Sequence, residues 1–123
     1  DTLAAEAART NHQAHEIAGR EFHIGPAETV LPALLEASPG SGASTTVLLD
    51  PPREGCGPAV IDALASHPVP RVIYVSCDAA TLARDLKALC VEGAYAVEKL
   101  LFADMFPQTA HFECAVLLAR HSP

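Results

Sequence analysis

The run from Val72 to Asp85, Val-Ile-Tyr-Val-Ser-Cys-Asp-Ala-Ala-Thr-Leu-Ala-Arg-Asp, constrains this chain more than any other stretch. A β-branched, apolar segment ends abruptly at Cys77, and a helical pattern begins directly after it. The run predicts a strand feeding a short turn into a helix, with Cys77 at the carboxyl end of the strand and Asp78 as the helix cap. In open α/β sheets that edge is where ligands bind. A thiol there is either a nucleophile, favoured as thiolate by the positive end of the helix dipole, or a small packed hydrophobe.

The rest of the chain alternates in the same way. Residues 1–18 carry a weak apolar stripe (Leu3, Ala7, Ala14, Ile17) and predict a helix that stops near Gly19. Glu21 to Ile24 predict a short strand closed by Gly25-Pro26. A second helix follows with Val30, Leu31, Leu34 and Leu35 on one side, and Pro32 is acceptable only in its first turn. Ser38 to Ser44 read as a flexible loop. Thr45 to Leu49 predict a buried strand that ends at Asp50, before the rigid turn Pro51-Pro52-Arg53-Glu54-Gly55. Pro58 suits the first position of a helix presenting Val60, Ile61 and Leu64. The helix after Cys77 carries Leu82, Leu86 and Leu89 at spacings of four and three. Beyond Gly93, residues 95–102 and 111–119 read as strands with no helix between them, hence antiparallel. These elements predict one α/β domain, its sheet parallel in the middle and antiparallel at one end.

Half of the 123 residues are hydrophobic, enough to bury a core, which argues against disorder. No basic-then-apolar leader and no run of about eighteen apolar residues is visible, so neither a secretory signal nor a membrane span is expected. The first residue is Asp1 rather than Met, which suits a piece of a longer protein. Cys56, Cys77, Cys90 and Cys114 stand far apart with no C-x-x-C pair, and the six histidines are equally scattered. No structural metal site or disulfide framework is expected; reduced thiols in a cytoplasmic protein are the simplest reading. A net charge of −7 argues against a phosphate-binding surface made by this segment alone.

Three further positions are candidates for chemistry. Asp50, at a strand end, either contacts a ligand or caps a turn. Glu113 shares a strand face with His111, and is either a general base or a solvated edge residue. Asp104 and Thr109, in the connection before that strand, are open in the same way. No Gly-rich phosphate loop and no G-x-S-x-G elbow occurs.

Taken together, D-P-P-R-x-G (Asp50 to Gly55), V-S-C-x-x-x-T-L-A-R-D (Val75 to Asp85) and D-M-F-P-Q-T-x-H-x-E (Asp104 to Glu113) resemble the RNA uracil-5-methyltransferase family. The similarity spans most of residues 45–120, and residues 1–36 fit the helix, strand and helix just upstream more weakly. The resemblance implies S-adenosylmethionine-dependent formation of 5-methyluridine in tRNA or ribosomal RNA. It implies Cys77 as the nucleophile that adds to carbon 6, Glu113 as the base that removes the carbon 5 proton, and Asp50 against the cofactor. Relatives often carry a polar residue where this chain has Gly25-Pro26, which leaves Glu28 as the nearby side chain for the adenine contact. The target base would leave its stack to reach the thiol.

The implied fold is the carboxyl-terminal portion of a Rossmann-like class I methyltransferase domain, with residues 1–123 forming a partial catalytic domain. The family's first strands and Gly-rich cofactor loop would lie upstream of Asp1, and accessory RNA-binding or iron–sulfur elements outside this segment. With residues 21–24 as the third strand, the sheet would have a gap, to be completed by the upstream part or by a partner chain. Two other readings stand beside this one: a non-catalytic binding module without a complete cofactor site, and a thiol hydrolase pairing Cys77 with His111.

Overall fold

The computed structural model describes residues 2–14, 21–37, 44–91, 94–105, 107–108 and 113–121. In chain order the elements are α1 (Thr2–Ala14), α2 (Ala27–Ala37), β1 (Thr46–Leu49), α3 (Pro58–Ser66), β2 (Arg71–Ser76), α4 (Ala79–Cys90), β3 (Tyr95–Ala103) and β4 (Glu113–Arg120). The sheet order is β1-β2-β4-β3; β1 runs parallel to β2, and β4 is antiparallel to both of its neighbours. This is the expected mixed sheet with an antiparallel pair at the carboxyl-terminal end.

Alternation along β2 and β4 decides which face is core. Val72, Tyr74 and Ser76 are buried, as are Cys114, Val116 and Leu118, while the residues between them are more open. The buried face packs against Val60 and Leu64 of α3 and Leu82 and Leu89 of α4 in one cluster. Tyr95, fully buried at the start of β3, keeps its hydroxyl satisfied by accepting from the Val69 amide (2.9 Å) and donating to the Leu64 carbonyl (3.3 Å). On the other face Ile73, Ala115 and Leu117 are half-buried and line a groove of about 180 Å³ with Lys99 and Leu101.

Three expectations need adjustment. The strand at 45–49 is not buried throughout: β1 starts at Thr46 and, among the described residues, has a neighbour on one side only, so Leu48 is 66% exposed. Residues 21–24 are not a strand, and among the described residues the sheet ends at β1. A strand needs a neighbour to exchange hydrogen bonds, and among the described residues none lies beside this segment. Pro32 sits in the second turn of α2, where it removes the amide that would bond the Glu28 carbonyl. The helix persists because its first turn is anchored on the Pro26 carbonyl and Leu35 is buried against the core. On α4 the apolar spacing holds: Leu82 and Leu89 are buried and Leu86 packs half-buried against the same core, with Asp85 buried between them. The expected strand at 111–119 is present as β4 from Glu113 on; His111, Thr109, Gly19, Ile17 and residues 38–43 lie outside the described residues.

Candidate active site

The carboxyl ends of β1 and β2 and the start of β4 meet at one edge of the sheet, so topology alone gathers Asp50, Cys77 and Glu113 there. The β1–β2 register pairs Leu49 with Tyr74, and Asp50 follows. The β2–β4 register pairs Ser76 with Cys114, so Cys77 and Glu113 are the next residues along the same rung sequence, on one side of the sheet. Ala103, at the end of β3, pairs with Glu113, which brings Asp104 to the same edge.

The turn that carries Cys77 is held from both sides. The Ser76 hydroxyl accepts from the Asp78 amide (3.1 Å) and donates to the Asp78 carbonyl (2.9 Å). Asp78 caps α4, its carboxylate accepting from the Ala80 and Thr81 amides (3.0 and 2.9 Å), as its sequence position predicts. Those amides hold the Asp78 carboxyl below its ordinary pKa, the Thr81 amide most. The helix's first donors therefore face Asp78, and Cys77 sits one residue outside the cap, half-buried. Burial pushes the thiols of Cys56, Cys90 and Cys114 up, which keeps all three as neutral SH groups near neutral pH.

Glu28 and Asp50 line the same cavity, of about 300 Å³, together with Leu49, Pro51, Gly55 and Gly57. A Cβ on Gly57 would stand 2.9 Å from Glu28 Oε1, so a bare glycine is what lets this carboxylate lie over the loop. Two carboxylates at the rim of an otherwise apolar hollow suit a ligand with an aromatic body and hydroxyl or amine donors. A nucleoside cofactor such as S-adenosylmethionine has that chemistry, so the residues present fit the group. Among the described residues no cluster of three His, Cys, Asp or Glu could hold a metal ion, and no helix is long and apolar enough to cross a membrane.

The sequence reading missed a second cluster behind the cavity wall. Asp85, only 2% exposed, accepts from the Tyr74 hydroxyl (2.6 Å), the Cys56 amide (2.8 Å) and Arg84 Nε (2.8 Å). Arg84 also donates to the Glu54 carbonyl (2.8 Å), and the Thr81 hydroxyl to the Arg53 carbonyl (2.9 Å). The available signal was the T-x-x-R-D spacing, which puts position 81 on one helix face with 84 and 85.

A mixed sheet of this order, with the candidate residues at its strand ends, matches the carboxyl-terminal portion of a Rossmann-like methyltransferase fold. The family described as tRNA (Uracil-5-)-methyltransferase matches residues 38–121. An uncharacterized RNA methyltransferase of Synechocystis is 45% identical over 108 residues, covering 88% of this chain and 22% of its own length. One from Nostoc is 44% identical over 115 residues, covering 94% and 24%. The crystal structure of Pyrococcus abyssi tRNA (uracil-54, C5)-methyltransferase in complex with S-adenosyl-L-homocysteine superposes with a TM-score of 0.76 at 30% identity, covering 97% of this chain and 26% of that one. The chain belongs to the tRNA (uracil-5-)-methyltransferase family. It spans about a quarter of the length of these relatives.

Proposed function

We propose that the protein contributes the nucleophile, the base and part of the cofactor wall to an S-adenosylmethionine-dependent methylation of carbon 5 of a uridine in cytoplasmic tRNA or ribosomal RNA. The observation that supports this reading is the shared sheet edge, where Cys77 and Glu113 each stand one residue beyond the last β2–β4 pair and Asp50 follows the neighbouring strand. Bound in the cavity lined by Asp50 and Glu28, the cofactor would supply an electrophilic methyl group on a sulfonium sulfur. The carboxylates of Asp50 and Glu28 would hold its hydroxyl and amine donors.

The chain's own residues account for the rest. Carbon 5 of uracil is a poor nucleophile. When the Cys77 thiolate adds to carbon 6, the ring becomes an enolate and its electron density moves to carbon 5, which can then take the methyl group. The ring then bears both a methyl group and a proton at carbon 5. The Glu113 carboxylate removes that proton; its electron pair restores the 5,6 double bond and the Cys77 sulfur leaves as thiolate. The net charge of −7 leaves most phosphate contacts to basic residues beyond this segment, which suits a chain that spans a quarter of its relatives. The missing strands would come from that remainder.

The test is Glu113→Gln in the full-length protein with unmodified RNA. The glutamine cannot take the proton, so a methylated RNA–protein adduct resistant to denaturation should accumulate while 5-methyluridine release falls by about 10²–10⁴-fold. Normal release without an adduct would remove Glu113 from the base role.

A further inference from the structure

The Asp85 cluster is absorbed by none of the roles above, and its connections are specific. One carboxylate on α4 bonds the Tyr74 hydroxyl on β2, three residues before Cys77, and the Cys56 amide in the loop after β1. That loop is the wall of the cavity: Pro51, Pro52, Gly55, Cys56 and Gly57 all line it beside Asp50. Thr81 makes a second bridge, since its amide bonds the Asp78 cap beside Cys77 while its hydroxyl bonds the Arg53 carbonyl.

The approach of loop and helix is close enough to dictate sequence. Gly55 has φ +79°, and a Cβ there would stand 2.6 Å from Arg84 Nη2 and 2.7 Å from Asp85 Oδ2. A buried carboxylate is retained against its desolvation cost only where donors surround it, and Asp85 has them from β2, from the loop and from its own helix.

We propose that Asp85 is a positioning residue of the methyl-transfer site. Its carboxylate holds the cavity wall in register with the Cys77 turn, and so sets the distance between bound cofactor and thiol; this rests on the reading of cavity and thiol given above. Arg84 orients the carboxylate and, through the Glu54 carbonyl, holds the same loop. A role in packing alone would leave the loop's fixation independent of the charge at position 85.

The experiment compares wild type, Asp85→Asn and Tyr74→Phe in the full-length protein, by hydrogen exchange of residues 52–57 and 80–90 and by the KM values for S-adenosylmethionine and RNA. Losing a charge-assisted hydrogen bond predicts exchange about tenfold faster at 52–57 in Asp85→Asn, with 80–90 unchanged. The KM for S-adenosylmethionine should rise about tenfold while that for RNA holds. Unchanged exchange at 52–57, or equal acceleration throughout, would overturn the assignment. If Asp85→Asn does not fold, Tyr74→Phe keeps the carboxylate and must still loosen 52–57 selectively; if it does not, the proposal fails. Absence of 5-methyluridine in wild type would sink the functional reading instead, and the exchange data would still decide whether Asp85 fixes the loop.

Discussion

Ser76 and Cys114 form the last paired rung between β2 and β4, and the next residue on each strand is a proposed catalytic group, Cys77 on one and Glu113 on the other. The pairing is what makes a thiol and a carboxylate 36 positions apart in sequence into neighbours. It also explains why the two enter on opposite strand ends: β2 finishes at this edge and β4 starts from it. Antiparallel pairing is the simplest way to bring both to one side of a sheet.

Gly55→Ala should weaken both fold and cofactor cavity. The positive φ costs an L-residue about 1–3 kcal/mol, and the added Cβ would press on Arg84 and Asp85. In the full-length protein a lowered thermal midpoint together with weaker binding of S-adenosylhomocysteine by calorimetry is expected. An alanine variant with wild-type midpoint and affinity would show that the loop can move off α4 freely.

Stability should fall on the alkaline side. Burial raises the pKa of the Cys56, Cys90 and Cys114 thiols above 9.0, and burial with the Asp85 hydrogen bond raises that of Tyr74 above 10.0. The folded chain therefore keeps protons that the unfolded chain gives up. The stabilisation is whole below about pH 9 and is lost as pH rises beyond it. Urea midpoints of the full-length protein should be alike at pH 7 and 8 and decline from pH 9 to pH 10.5. Tyr74→Phe, which strips a donor from the buried Asp85 carboxylate, should cost about 1.5–3 kcal/mol at pH 7 and flatten the decline above pH 10. An identical slope in wild type and variant would place the alkaline loss elsewhere.

The 123-residue chain expressed alone should associate or unfold without cooperativity. β1 is an edge strand with Leu48 66% exposed, and Leu100, Leu101 and Phe102 of β3 are also exposed. Sedimentation velocity and thermal unfolding check this. A monodisperse monomer with one sharp transition would show that these surfaces need no cover.

Much of this was legible because local rules agreed at the central element. The β-branched run of β2, the Asp78 cap and the apolar spacing of α4 each point to strand, turn and helix, and the structure has all three. Residues 21–24 misled because alternation shows what a strand would bury but not whether a neighbour exists to pair with it. Asp85 was missed for a related reason. Its spacing of three and four from Leu82 and Leu89 puts it on their helix face, but the partners that let a carboxylate stay there, the Tyr74 hydroxyl and the Cys56 amide, come only from the folded chain. The gathering of Asp50, Cys77 and Glu113 could be placed at strand ends from sequence, while their shared edge follows from the strand order β1-β2-β4.

The most direct test of the central claim uses the full-length protein, wild type and Cys77→Ser, with 5-fluorouridine-substituted RNA and cofactor labelled in its methyl group. Fluorine at carbon 5 cannot leave as a proton, so the cysteine cannot be eliminated after transfer. The account predicts a labelled, denaturation-resistant RNA–protein adduct in wild type, its crosslink mapped to Cys77, and none in Cys77→Ser. An adduct that persists in Cys77→Ser, or no adduct in a wild-type protein that binds cofactor, would contradict the assignment of Cys77 as the nucleophile.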